Sequence, residues 1–429
     1  MFDPPAQTDA LLDRLQRAAF GYFVENYNPD TGLVADTSRA GSPVSIAVVG
    51  FALSCYPIAV ERGWMTREEA VRRTLAALRF FSNSEHGKGH IATGYKGFYY
   101  HFLDIHTGKR VWNCELSLID STLLFAGMLT ASAYFDGPDA VETELRALVD
   151  ALYRRADWLW ARNGQATVCM GWKPRSGFLP YYWDGYSEAT ILYVLGLASP
   201  THALPPESFA AWAATYHWQK IEGREFLHAG PLFIHQFSHA WIDFRGIQDR
   251  YMREKSSDYL ENSRQAVHVQ RDYAIRNPLG FAGYAEDCWG FSAGEGPTRG
   301  TRTIAGRKRK FFGYEARGAP HGPDDGTISP WAPLAALPFA PEIALPALHA
   351  VRQRFPEVAV GDRFSTGFNA TLPGAGPAGW VSEGYFGLDQ GLVVMTIENV
   401  RSGLIWRLMR QCPAIRTGLG RAGFTGGWL

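Results

Sequence analysis

Apolar residues recur at helical spacing along most of the chain. Over 9–27, Leu11, Leu12, Leu15, Ala18, Ala19, Tyr22 and Phe23 fall on one side of a 3.6-residue period, with Asp13, Arg14, Gln16 and Arg17 between them. The same pattern predicts helices near 44–61, 66–82, 115–135, 141–162, 186–198, 206–220, 256–275, 327–337, 341–354 and 387–410. Between them lie loops rich in Gly, Pro, Asp and aromatics, such as 83–112 and 276–326, while alternating strand-like runs are few and short. The chain therefore reads as all-α, built of helical hairpins in which each helix packs on its neighbour in sequence. A closed ring of six such pairs would bury every hairpin and leave loops at one end to form a cleft.

Composition narrows the partners. Among 429 residues, Lys plus Arg and Asp plus Glu both number 42, so no net field gathers nucleic acid or an anionic membrane, and a neutral substrate fits better. The five cysteines, Cys55, Cys114, Cys169, Cys288 and Cys412, are widely spaced without a Cys-x-x-Cys pair and read as buried free thiols. No uncharged apolar run is long enough to span a membrane. The N-terminus, MFDPPAQTDALLDRLQ, lacks the basic start and apolar core of a signal peptide, which places the chain as written in the cytoplasm, or in the periplasm as a processed form. The basic stretch 299–312 reads as a solvated loop insertion.

Five segments concentrate carboxylates, aromatics and glycines: WNCELSLIDS (112–121), YYWDGYSEAT (181–190), GYAEDCWG (283–290), GPDDGTISP (322–330) and WVSEGYFGLDQG (380–391). Aromatic faces cover the apolar faces of pyranose rings, and carboxylates bind hydroxyls and move protons, so this dress points to carbohydrate chemistry. Neither a Gly-x-Ser-x-Gly elbow nor a phosphate-binding GxxxxGK[ST] loop occurs. His235 and His239 have the i, i+4 spacing of metal ligands, but Gln236 stands where a zinc protease needs Glu. His86 and His90 are separated by two glycines, which makes a loop of that pair. Neither a metal nor a cofactor is expected.

The segments 97–127, 185–200, 237–246, 259–278, 283–297 and 380–406 resemble, in order, the bacterial glucoamylase-like domain family. That family includes endo-β-1,2-glucanases and is similar to the transglycosylating domain of cyclic β-1,2-glucan synthases. The resemblance implies one (α/α)6 barrel over 1–429 with a loop-built cleft, acting on β-linked glucan without a metal. Hydrolysis of β-1,2-glucan is the leading expectation. Transglycosylation is the alternative, with a lyase or epimerase, or a glycan-binding protein without catalysis, behind it. Where many relatives have Ala-Ser-Asp-Gly-Pro, this chain has Ala293, Gly294, Glu295, Gly296 and Pro297.

Glycosidic hydrolysis needs an acid to protonate the leaving oxygen and a second carboxylate to activate water or attack the anomeric carbon. Glu188, where an aromatic loop enters a helix, is the first candidate, and its motif Ser-Glu-Ala-Thr matches the family; a charge placed for the helix dipole is the competing reading. Glu115 and Asp120 flank an apolar run and lie about 140° apart on an ideal helix, so they share a cleft only if Glu115 precedes regular helical geometry. Glu286, beside Asp287, and Glu383 sit among aromatics and are further candidates. Asp324 and Asp325 precede a predicted helix start, where capping competes with sugar binding, and Asp389 caps or positions the last helix. Substrate contacts are expected from His101, Asp104, Trp112, Trp183, Tyr186, His239, Trp289, Asp325, Trp380 and Tyr385.

Overall fold

The computed structural model describes residues 6–429. Fifteen α-helices are found among them: α1 Ala6–Glu25, α2 Ile46–Glu61, α3 Arg67–Asn83, α4 Leu118–Tyr134, α5 Ala140–Arg155, α6 Trp158–Ala161, α7 Thr190–Ala198, α8 Glu207–Ala213, α9 Leu232–Trp241, α10 Arg250–Glu254, α11 Tyr259–Arg276, α12 Pro341–Arg354, α13 Gly387–Arg401, α14 Leu404–Gln411 and α15 Pro413–Arg421. The strands are short and antiparallel. The chain divides into two compact units, and the divisions at Ala19 and Phe237 fall inside α1 and α9.

The larger unit comprises Phe20–Tyr216, Ser238–Asp258 and Gly403–Leu429. Its centre is the pair α2 and α4, both apolar all round and almost wholly buried, as helices enclosed on every side must be. They approach backbone to backbone at two glycines: a Cβ on Gly127 would stand 2.0 Å from Gly50 O, and one on Gly50 would stand 2.3 Å from Leu123 O. The outer helices α3 and α5 are amphipathic and capped at Thr66 and Asp139, whose side chains accept from the first-turn N–H groups. Small strands carry the chain into the inner helices. Val44–Ser45 pairs with Phe102–Leu103 and runs into α2, while Leu116–Ser117, paired with Tyr99–Tyr100 and with Gly171–Trp172, runs into α4.

The smaller unit comprises the chain through Ala19, His217–Phe237 and Tyr259–Ser402. Buried Gln16 of α1 donates to Val394 O at 3.0 Å and to Glu398 Oε2 at 2.9 Å, and Arg401 grips Asp9 and Asp13 at 2.9 Å each, which fixes α1 against α13. The hairpin Trp218–Ile221 and Arg224–Leu227 buries Ile221 and Phe226 on Ala266 and Val269 of α11.

The helix expectations hold along most of the chain; α9, α10 and α15 lie where no helix is predicted, and other segments differ as follows. The helix drawn over 206–220 ends at Ala213, and its tail is strand. The helix drawn over 327–337 is a 3-10 turn, Leu334–Ala336, because Pro330, Pro333 and Pro338 interrupt an α ladder. The segments 141–162 and 387–410 each split in two, the second at Gly403, whose φ of 69° ends regular α geometry. The 299–312 segment is a β-hairpin, Gly300–Ile304 paired with Arg307–Phe311, where a solvated loop was expected; its outer positions are exposed, while Arg309 donates to Leu279 O and Gly280 O. All five cysteines are buried and free, as expected. No helix among the described residues is long and apolar enough to cross a membrane.

The glycine crossing gives a direct test. Gly127→Ala should cost roughly 2 kcal/mol or more in a thermal unfolding experiment, because the added methyl meets backbone that cannot yield. Gly420→Ala, at a position of α15 with nothing within 4 Å of the new Cβ, should leave the midpoint unchanged or raise it.

Candidate functional site

The strand ladder that feeds α2 and α4 also assembles a group of ionisable side chains within the larger unit. Ala35 pairs with Val44, Val44 pairs with Leu103, Ile46 N donates to His101 O at 3.2 Å, and His101 N donates to Glu115 O at 3.0 Å. Asp36, His101 and Glu115 are thereby drawn together from distant parts of the sequence. Glu115 lies just ahead of the strand that precedes α4, outside regular helical geometry, and Asp120 lies in the first helical turn. The angular conflict between these two carboxylates is removed in this way.

His101 is the cation at the centre. Its Nδ1 is 2.8 Å from Glu115 Oε1 and its Nε2 is 3.6 Å from Asp120 Oδ2. Burial alone would push its pKa down, but Asp120, Glu115 and Asp36 together outweigh that and raise it to about 9. At neutral pH the ring is an imidazolium that donates from Nδ1 to Glu115 and faces Asp120 with Nε2 as an ion pair. Its hydrogen bond holds Glu115 below the usual carboxylate range, so Glu115 is ionised. Asp120 is held from its other side by Ser117, whose hydroxyl donates to Oδ2 at 2.5 Å and accepts from Asp120 N at 3.2 Å. The N-cap of α4 thus doubles as an aiming device for its carboxylate.

Glu188 sits in a turn two residues ahead of α7. That turn is pinned by its backbone: Ser238 Oγ donates to Glu188 O at 2.8 Å, Trp212 Nε1 donates to Gly185 O at 2.7 Å, and Gly185 N donates to Thr215 Oγ1 at 2.6 Å. Glu188 keeps a part of its surface exposed, yet burial of its carboxyl pushes its pKa up to about 7, with its own backbone N–H opposing and the charge of Asp120 adding. Asp36 is pushed up to about 6, by burial first, with His101 opposing and Asp120 adding. Two carboxyls with raised pKa, an ionised Glu115 and an imidazolium therefore share one polar site.

The structure sorts the expected site residues. Glu188, Glu115, Asp120 and His101 come together, and Trp112, 70% exposed, is joined to them through Phe102. Tyr186 packs edge-on against Tyr216, and Trp183 is buried in the loop leading to Glu188. Asp104 instead closes a turn, accepting from Thr107 N and Oγ1 at 2.8 Å each. His239 is buried against Phe244, and its carbonyl accepts from Trp406 Nε1. In the smaller unit Glu286 is exposed and pairs with Arg271, Glu383 is exposed in a bend, and Trp289 is fully buried. Asp325 has structural partners on both oxygens. It is fully buried and holds Arg317 through two bonds of 2.7 and 2.9 Å, with Phe312 N and Thr327 N completing its oxygens. Trp380 and Tyr385 are partly exposed, the latter under Arg363. Glu295, at the altered family position, accepts from Ser382 Oγ at 2.6 Å.

Asp36 escaped the sequence reading. It has no aromatic neighbours in sequence, and only strand pairing brings it to His101. His235 does not wait for a metal: Nε2 donates to Ala229 O at 3.2 Å and Nδ1 accepts from Asn262 at 3.4 Å. No group of three or more His, Cys, Asp or Glu suited to a metal is found among the described residues.

Residues 180–413, which carry Glu188, match the family model Glycoamylase, described as "Putative glucoamylase". The chain belongs to the Glycoamylase family. A crystal structure of a protein of the same description from Bacteroides uniformis is 30% identical, covers 100% of both chains and superposes with a TM-score of 0.87. An endo-β-1,2-glucanase from Chitinophaga pinensis, solved with sophorotriose and glucose, is 26% identical over 98% of this chain and 99% of its own, with a TM-score of 0.84. An exo-β-1,2-glucooligosaccharide sophorohydrolase of Parabacteroides distasonis is 26% identical over 97% of this chain. This Glycoamylase chain spans 58% of the length of that curated relative. The all-α (α/α)6 fold class expected from the sequence is the class of these solved structures.

Because Glu188 is protonated far above the ordinary carboxylate range, the native state binds a proton that the unfolded state releases. The resulting stability is fully present below the ordinary Glu value and is lost as pH rises through about 7. Glu188→Gln should therefore match the wild type in thermal midpoint at pH 4 and exceed it at pH 8. Equal midpoints at both pH values would show that Glu188 titrates normally.

Proposed function

We propose that this protein is a glycoside hydrolase that cleaves β-1,2-linked glucan, with Glu188 as the general acid and Asp120 as the carboxylate facing it, in a chain that acts as a single domain. The observation that carries the reading is the pairing of a carboxyl raised to about 7 with Asp120, whose charge helps to raise it. An acid with a pKa near the working pH remains protonated in a large fraction of molecules and still releases its proton readily to a leaving oxygen. Divergent environments for two neighbouring carboxyl groups are the arrangement on which glycosidic cleavage runs.

The supporting parts have distinct roles in this proposal. Imidazolium His101 and the Ser117 hydroxyl hold and orient Asp120. Glu115 fixes the position of His101 through the 2.8 Å bond. Asp36, placed beside the same ring, supplies a further titrating group on the side of His101 and Asp120. Glu286 and Glu383 drop out of the proposed chemistry, since Glu286 is spent on an exposed ion pair and both lie at the surface. The linkage is supported by relatives whose names specify β-1,2-glucans, aligned over nearly the whole chain.

Incubation of the protein with linear β-1,2-glucan should give sophoro-oligosaccharides and new reducing ends, without release of glucose from starch. Sophorose as the sole early product would indicate exo action, and a ladder endo action; cyclic or lengthened products without new reducing ends would indicate a transglycosylase and contradict the proposal. Glu188→Gln should lower turnover by at least about a hundredfold while remaining folded. A folded variant with wild-type turnover would remove Glu188 from the mechanism.

A further inference from the structure

Trp112 occupies a place where neither folding nor local backbone preference puts a tryptophan. Cys114 N donates to Val111 O at 3.1 Å, closing a four-residue turn whose central residues, Trp112 and Asn113, have φ of 56° and 50°. Two consecutive positive φ values are the mark of a type I′ turn, for which Asn-Gly is the usual pair. Asn tolerates this conformation, but a bulky side chain there is a conformational outlier that costs free energy. The ring recovers little of that cost by burial, since Trp112 is 70% exposed.

The turn is nevertheless rigidly held. Val111 N donates to Phe102 O at 3.1 Å, Phe102 N donates to Cys114 Sγ at 3.3 Å, Arg110 Nε donates to Cys114 O at 2.5 Å, and Leu103 bridges to Arg110. The indole rests against Phe102, ring centres 5.1 Å apart, and Phe102 stacks on His101 at 3.9 Å with planes 14° apart. His101 in turn holds Glu115 and Asp120. A chain of ring contacts, stacked at His101–Phe102 and tilted by 56° at Phe102–Trp112, therefore links the carboxylates to an exposed aromatic face. Backbone strain kept in a braced turn to display a costly side chain is the pattern of a binding position.

We propose that Trp112 is the wall of a sugar subsite beside the carboxylates, stacking on a glucose unit adjacent to the one whose bond is cleaved. The inference rests on the glycosidase reading given above and adds to it a chain-length preference: oligosaccharides long enough to reach the indole bind more tightly than the shortest substrate. The stacked face recognises a pyranose through its apolar C–H surface and does not itself read the linkage.

The test compares wild type, Trp112→Gly, Trp112→Phe and the control Tyr314→Ala, Tyr314 being another exposed aromatic, in the smaller unit. Each is assayed for KM and kcat on glucans of β-1,2, β-1,3, β-1,4 and α-1,4 linkage at several chain lengths, and for thermal midpoint. Trp112→Gly should raise KM for long oligosaccharides about tenfold, with a smaller effect on kcat and on the shortest substrate. Its midpoint should stay at or above that of the wild type, because glycine adopts positive φ without strain. Trp112→Phe should retain most of the affinity. Unchanged KM in folded Trp112→Gly, or a lowered midpoint with Trp112→Phe as impaired as Trp112→Gly, would overturn the subsite while leaving the hydrolase reading standing. Wild-type action on a different linkage would overturn the β-1,2 reading, and the same comparison on that glucan would then decide the subsite. Failure of the wild type to bind or cleave any glucan would overturn both.

Discussion

Crowding Asp36, Asp120 and Glu188 together costs free energy, because carboxylates repel one another and burial strips them of water. The protein offsets that cost in two ways. It places one imidazolium, His101, against Glu115 and Asp120, and it lets Glu188 and Asp36 keep protons to higher pH than free carboxyls do. The distribution of protons over the site follows from that compromise. Glu188 has no cation among the groups that set its pKa, so burial dominates and it becomes the acid. Glu115, bonded to the cation, becomes the permanent anion.

The backbone exists in a form that makes this possible. Short strands lead into α2 and α4, so that the residues just before and within their first turns face the same place. The glycine crossing at Gly50 and Gly127 lets these two buried helices pack backbone against backbone. On the Glu188 side, Trp212, Thr215 and Ser238 hold backbone atoms of the loop, leaving the carboxyl orientation to the turn itself. Fixing a turn through main-chain bonds keeps its side-chain polar atoms available for chemistry.

How much of this was legible in the sequence differs by the range of the interaction involved. Helices with clear periodicity, such as α1, α3 and α5, were readable because their pattern is local. The α9 helix was obscured by Gly230 and Pro231, which stand just outside its start, where proline is tolerated. The 218–227 hairpin and the 327–337 turn carry apolar residues that periodicity alone assigns equally well to helix. In the site, Glu188, Glu115 and Asp120 were visible through their motifs and the family likeness. Asp36 was not, since its partners are more than sixty residues away in sequence and reach it only through strand pairing. Asp325 and Trp289 looked like site residues because a buried structural carboxylate or indole has the same local sequence dress as one that faces a sugar. Only partner and burial distinguish them.

The central claim is that Glu188 is a protonated acid at neutral pH by virtue of burial and the neighbouring charge of Asp120. The most direct measurement is the pH dependence of kcat/KM for β-1,2-glucan, which reports ionisations of the free enzyme. The account predicts a basic limb with an apparent pKa close to 7, shifted downward in Asp120→Asn through loss of that neighbouring charge. A basic limb at the ordinary carboxylate value, or one indifferent to Asp120, would contradict it.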